Sequence, residues 1–231
     1  MMMEATGKLK KLSYPDAYLV GHVDFMGIEL IIDPRAYVPN PETESLCTSA
    51  IKYLDGSLLP EGQKRRIVDV GTGCGNIAII LSKNFPDSEI IAVDIVKSTL
   101  QLAMENAVKH GCGNINFWPA DNLVTSISGG FSPHLVVANL PYGSGGYILG
   151  STSIAELSHM PQIAIFTEGL LDAYEELIKQ IIEKNWETVL MFETGLVPKN
   201  IVEKIIPTGF KWEYHPYPGY SVTEVWFKSK K

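Results

Sequence analysis

The residues best suited to chemistry are concentrated in Asp69-Val70-Gly71-Thr72-Gly73-Cys74-Gly75-Asn76. A short apolar run, Ile67 to Val70, leads into the glycines, and an apolar stretch, Ile77 to Leu81, follows them. That places a tight strand-to-helix turn here, with backbone able to come close to a ligand. The spacing is G-x-G-x-G. A dinucleotide fingerprint needs its third glycine where Asn76 stands, and no Gly-Lys-Ser/Thr ending marks a phosphate loop, which disfavours an NAD-linked oxidoreductase. Asp69 repels a pyrophosphate at short range but suits an ammonium group, as in the amino-acid end of S-adenosylmethionine. Asp94, ending the next strand, suits a pair of ribose hydroxyls. Asp121, in Pro119-Ala120-Asp121-Asn122 after a third strand, suits an adenine amino group. With their neighbours these give an expected cofactor set of Asp69, Gly71, Thr72, Gly73, Gly75, Asp94, Ile95, Asp121, Asn122 and Asn139. The plainer reading is a tight turn whose acids cap helices or sit in water.

A second constellation closes the fourth strand: Val136-Val137-Ala138-Asn139-Leu140-Pro141-Tyr142. An amide or aryl-amine nitrogen is a poor nucleophile because its lone pair is delocalised. The Asn139 side-chain oxygen and the Leu140 backbone carbonyl can each accept one N–H, drawing the nitrogen toward tetrahedral geometry. The Tyr142 ring can stack on the planar group, and Pro141 fixes the backbone. Positioning then supplies most of the rate. The expected catalytic residues are Asn139, Leu140, Pro141 and Tyr142; taken alone, Asn and Pro after a strand also suit an ordinary turn. The Gly- and Ser-rich stretch from Gly143 to Met160 suggests a lid over substrate, with Tyr147 and His159 as candidate contacts. His22, His134 and His215 read as structural, Cys74 as filling space beside the ligand, and Glu42 and Glu44 as favouring a helix's first turn.

The elements that must position these groups alternate. Strands are expected at 67–70, 89–93, 114–117, 134–138 and 187–192, and helices at 43–54, 76–84, 97–110, 168–184 and 198–206. Two alternating runs, 210–214 and 221–227, split by Pro216, Pro218 and Gly219, suggest an antiparallel hairpin. The expected fold class is α/β: a doubly wound, mostly parallel seven-stranded sheet of Rossmann-like type, ending in that hairpin. Residues 25–32 suggest a leading hairpin, so 1–45 are expected to form an N-terminal extension and cap, and 46–231 the catalytic domain. Ligands should sit at the carboxyl ends of the first strands.

Composition narrows the function. Over 231 residues, 26 acidic against 19 basic side chains give a net charge of −7, a handicap for phosphate-backbone binding, so nucleic acid is a disfavoured partner. No apolar run has membrane-spanning length, and the N-terminus lacks the features of a secretory signal. Three cysteines cannot all pair, and no Cys/His cluster has metal-ligand spacing, so a reduced, cytoplasmic, metal-free protein is expected. The oligomeric state is not legible.

Asp69 to Gly75 followed by Asn139 to Tyr142 resembles class I amino-methyltransferases with an Asn-Pro-Pro-Tyr-type motif. Upstream, Met26 to Leu30 and Tyr37-Val38-Pro39-Asn40-Pro41-Glu42-Thr43-Glu44 are similar to the hairpin and P-R-P-E-T-E segment of HemK-type protein-glutamine methyltransferases. The resemblance implies S-adenosylmethionine as cofactor, N-methylation as reaction and a release-factor glutamine in a Gly-Gly-Gln loop as acceptor. Leu140 stands where that family has its first proline, and Asn40 where it has arginine. Residues 1–24 are too few for the helical docking domain of the bacterial enzymes. An RNA adenine, a small-molecule amine or amide, and an inactive partner subunit therefore remain alternatives.

Overall fold

The computed structural model describes residues 14–57, 59–120, 124, 125, 127, 131–142 and 154–227. Asp121, Asn122 and most of the expected lid, 143–153 with Tyr147, lie outside the described residues.

The chain opens with a short helix, α1 (Asp16–Val20), and a hairpin of β1 (His22–Phe25) and β2 (Ile28–Ile31). Met26 and Gly27 both take positive φ (47° and 76°), the backbone that a tight two-residue turn needs to match strand twist. The hairpin thus begins at His22, earlier than the apolar run at Phe25 indicated. Then follow α2 (Thr43–Gly56), β3 (Arg66–Val70), α3 (Asn76–Asn84), β4 (Glu89–Asp94), α4 (Lys97–Lys109), β5 (Ile115–Pro119) and β6 (Leu135–Ala138). The chain continues through α5 (Ile154–Leu157), a 3₁₀ turn at Gln162–Ala164, α6 (Asp172–Glu183), β7 (Thr188–Glu193), α7 (Lys199–Val202), β8 (Lys211–Tyr217) and β9 (Tyr220–Phe227).

Seven strands form one sheet in the order β5-β4-β3-β6-β7-β9-β8, parallel from β5 to β7 and antiparallel across β9 and β8. Each central strand sends alternate residues to opposite cores, as a period of two requires. Ile67, Ile90, Leu135 and Val137 join the core packed with α2 and α3, whereas Val68, Ile91, Val136 and Ala138 join the core packed with α6. With both faces covered, the strands are nearly all apolar. Asp69 lies between Val68 and Val70 on the Ile67 face, so its carboxylate occupies a core position. Chain order reverses between β3 and β6, which makes their carboxyl ends the switch point where a crevice opens.

Three expectations need correction. The helix expected from Glu168 starts only at Asp172, because Asp172 Oδ2 accepts the Gly169 N–H (2.6 Å) and Leu171 takes a left-handed φ of 70°. The helix expected over 198–206 divides into α7 and a 3₁₀ turn at Glu203–Ile205. Pro216 does not break the last hairpin: it sits inside β8, the outermost strand, where a missing N–H leaves no ladder bond unmade.

Candidate active site

At the switch point lies a cavity of about 340 Å³. Gly71, Gly73, Asp94, Ile95 and Ala120 line one part of it, and Asn139, Leu140, Pro141 and Tyr142 another. Arg35, Tyr37 and Asn40 come in from the N-terminal segment, and Ile163 to Thr167 from the chain after α5. The two motifs, almost seventy positions apart, meet because Val70 is paired with Ala138 in the sheet register.

The glycine turn is tied down by backbone bonds. Gly71 and Thr72 N–H both donate to the Val93 carbonyl (2.9 and 3.0 Å), and Gly75 N–H donates to Thr72 (2.8 Å). Gly71 has φ of 70°, a conformation that favours glycine, and a Cβ there would lie 2.7 Å from Leu140 Cδ2, so a larger residue would also have to displace the tip of that side chain. Cofactor turn and acceptor motif are therefore in direct contact. Asp94 Oδ2 accepts the Gly73 N–H (3.1 Å) and Oδ1 the Val96 N–H (2.9 Å). Burial raises its pKa, while these bonds hold it down. Each oxygen keeps a lone pair for a further donor.

Asp69, Thr72 and Gly75 stand behind the cavity wall. Asp69 is completely buried; its Oδ2 accepts from Thr72 Oγ1 (2.7 Å) and Ala78 N (3.2 Å). Its Oδ1 is buried with no hydrogen-bond partner. Burial lifts the carboxyl to about 7, opposed by the Thr72 and Ala78 bonds. An unpaired buried carboxylate oxygen is costly and rare. Placed beside a turn of positive-φ glycines, it fits the ammonium end of an S-adenosyl amino acid.

The chain's relatives agree with this chemistry. A methyltransferase domain family matches residues 61–123. The release factor glutamine methyltransferase of Bacillus subtilis is 31% identical over 207 residues, 88% of this chain and 70% of that protein. The chain belongs to the release factor glutamine methyltransferase family. It is an S-adenosylmethionine-dependent methyltransferase. The corresponding protein of Deinococcus radiodurans is 35% identical over 167 residues, 72% of this chain but 56% of that one, so the chain spans about half of some relatives. The N-terminal domain of human METTL16, solved in complex with SAH, superposes with a TM-score of 0.59 at 15% identity, covering 88% of this chain and 77% of that one. At that identity the likeness is one of fold.

In this methyltransferase the acceptor motif is held by residues that sequence reading passed over. Asn139 Nδ2 donates to Thr43 Oγ1 (2.9 Å) and to Glu193 Oε2 (3.2 Å). Glu193 is the last residue of β7 and only 1% exposed; burial pushes its carboxyl to about 7, opposed by a hydrogen bond with Thr43. The strand expected from the sequence ends at Phe192, one residue short of Glu193. Thr43 opens α2 between Glu42 and Glu44. Of those, Glu44 Oε1 accepts the Met26 N–H (3.3 Å), joining α2 to the first hairpin. Tyr174, buried on α6, accepts the Leu140 N–H at its hydroxyl (2.8 Å), which also lies 2.5 Å from the Glu193 carbonyl and 3.1 Å from that of Leu140. Its one proton favours the nearer carbonyl, so Leu140 O keeps accepting capacity. Burial and Glu193 both raise the Tyr142 phenol far above its usual range, so it stays neutral.

The remaining described candidates lie outside the cavity lining. His134 Nδ1 accepts the Arg66 N–H (2.9 Å), and the ring contact of His159 is with Tyr14. Cys74 is buried and absent from the cavity lining. Among the described residues no cluster of three or more His, Cys, Asp or Glu could hold a metal, and no helix is long and apolar enough to cross a membrane.

Proposed function

We propose that this methyltransferase alkylates the side-chain amide nitrogen of a protein glutamine, and that the protein is a peptide chain release factor, as the names of its relatives say of them. The observation that carries this reading is the Asn139 amide. Both of its N–H bonds are committed to Thr43 and Glu193, which leaves Oδ1 as its accepting atom in a residue that lines the cavity. The Leu140 carbonyl is the second acceptor, on the adjoining residue. Two acceptors suit the two N–H bonds of one primary amide, and Tyr142 supplies a neutral ring beside them. S-adenosylmethionine, when bound, supplies a methyl group on a cationic sulfur. The chain's own part is to seat that cation's amino-acid end near Asp69 and its ribose at Asp94. It also holds the amide so that its nitrogen lone pair is available. Gly71, Gly73 and Ile95 complete the cofactor side, and the sequence expectation for Asp121 and Asn122 falls outside the described residues.

The decisive experiment incubates the protein with methyl-labelled S-adenosylmethionine and, separately, release factors, ribosomal RNA and a metabolite extract. Label on a release-factor glutamine is the expected result; label confined to RNA or to small molecules would refute the acceptor assignment. Asn139→Ala should bind cofactor with affinity within about threefold of the parent by calorimetry. Its turnover should fall at least about 100-fold, the scale that lost positioning sets.

A further inference from the structure

The sheet register brings Glu193 level with Asn139: Ala138 is paired with Phe192, so the next residue of each strand stands at the same sheet edge. Asn139 makes its two side-chain bonds to Glu193, at 3.2 Å, and to Thr43, at 2.9 Å. Asparagine is nearly symmetric in shape, and either end of the amide could face the cavity. If Nδ2 faced inward it would meet the donor N–H groups of an acceptor amide, donor against donor, and binding would fail. An ionised carboxylate only accepts hydrogen bonds, so its partner must be the Nδ2 end.

We propose that Glu193, assisted by Thr43, is the positioning residue that sets which end of Asn139 faces the methyl acceptor. This rests on the acceptor-amide reading above and adds a group that never touches substrate. The burial of a carboxylate at 1% exposure, with a single amide and a hydroxyl as its side-chain partners, is otherwise a cost without return. The groups facing Glu193 are Glu42 and Cys47 from the α2 region, Tyr142 after β6, and Tyr174 from α6. None of them is a cation, so among the described residues no ion pair competes with Asn139 for the carboxylate. Protonation of Glu193 leaves it one accepting oxygen but turns the charge-assisted bond to Nδ2 into a weaker neutral one, which loosens the hold. With the carboxyl raised by burial to about 7, the acceptor step should weaken as pH falls through that region.

The test compares Glu193→Leu and Glu193→Gln, a release factor being the acceptor probe. Glu193→Leu should bind S-adenosylmethionine within about threefold of the parent and lose at least about 50-fold in kcat. Glu193→Gln, whose Oε1 can still accept from Nδ2, should recover at least about a tenth of parental kcat, and its kcat profile at saturating S-adenosylmethionine, where bound cofactor keeps Asp69 ionised, should lack the acidic limb near pH 7. A folded Glu193→Leu with kcat within threefold of the parent would overturn the proposal. So would a Gln variant as inactive as the Leu variant, or one that keeps the acidic limb. If the parent leaves release factors unlabelled, the acceptor reading fails separately. The Asn139 side-chain amide resonances of ¹⁵N-labelled protein then decide this point: they should move with pH through about 7 in the parent and stay fixed in Glu193→Gln, and fixed resonances in the parent would overturn it.

Discussion

Asp69 is an acid in a position where the pleat of β3 calls for an apolar side chain, and one of its oxygens has no partner. Such a group destabilises the chain, and in the proposed function the cationic end of the cofactor offsets that cost. Its carboxyl stands at about 7 against an ordinary 3.8, because burial disfavours the charged form. A cationic ligand stabilises the ionised form, so binding releases a proton below that pH, and cofactor affinity should rise as pH increases through about 7. At pH 8, Asp69→Asn should weaken S-adenosylmethionine binding at least about tenfold by calorimetry. At pH 5.5 the difference from the parent should be several-fold smaller. An affinity in Asp69→Asn equal to the parent's at pH 8 would remove Asp69 from the ammonium site.

The strand tips and the turns that follow them act as one element. Gly195, just beyond β7, has φ of 52°, and a Cβ there would lie 2.7 Å from the Tyr142 hydroxyl. Gly195→Ala should therefore push the Tyr142 ring from its seat, raising KM for the acceptor several-fold while cofactor affinity changes less than twofold. Tyr174 spans α6 and both strand tips through one hydroxyl, at the Leu140 N–H and the Glu193 carbonyl. Tyr174→Phe leaves those buried groups without a partner, a loss of about 1–3 kcal/mol per unsatisfied group. A lowered Tm together with a lowered kcat is expected, whereas a lowered Tm with unchanged kcat would make Tyr174 a matter of stability alone.

Across the whole molecule, the two buried site acids set a stability trend. Asp69 and Glu193 both have folded pKa values near 7, above their ordinary 3.8 and 4.5. Between those limits the folded chain binds more protons than the unfolded one, so stability falls as pH rises toward 7. Asp33, Glu29 and Glu105 are shifted the other way by Arg35 and Lys109, and their contribution is lost only as pH falls through their lowered values. The ligand-free protein should thus melt at a lower temperature at pH 7.5 than at pH 5.5, measured by calorimetry. The difference should shrink in Asp69→Asn and in the presence of S-adenosylmethionine.

Local chemistry was enough to read the alternating strands and helices, the glycine turn and the Asn139–Tyr142 motif, because period-two apolar runs and turn residues act within a few positions of themselves. The resemblance of 37–44 and 67–80 to known methyltransferases was legible for the same reason. Glu193, Thr43 and Tyr174 were not. Each is an unremarkable residue in its own segment, and it gains meaning only when sheet register sets Phe192 beside Ala138 and packing lays α2 and α6 against those tips. Nor could sequence alone show that Asp69 is sealed behind the cavity wall with one oxygen unpaired. Burial and hydrogen-bond partnership are properties of neighbours in space, and those neighbours come from distant parts of the chain.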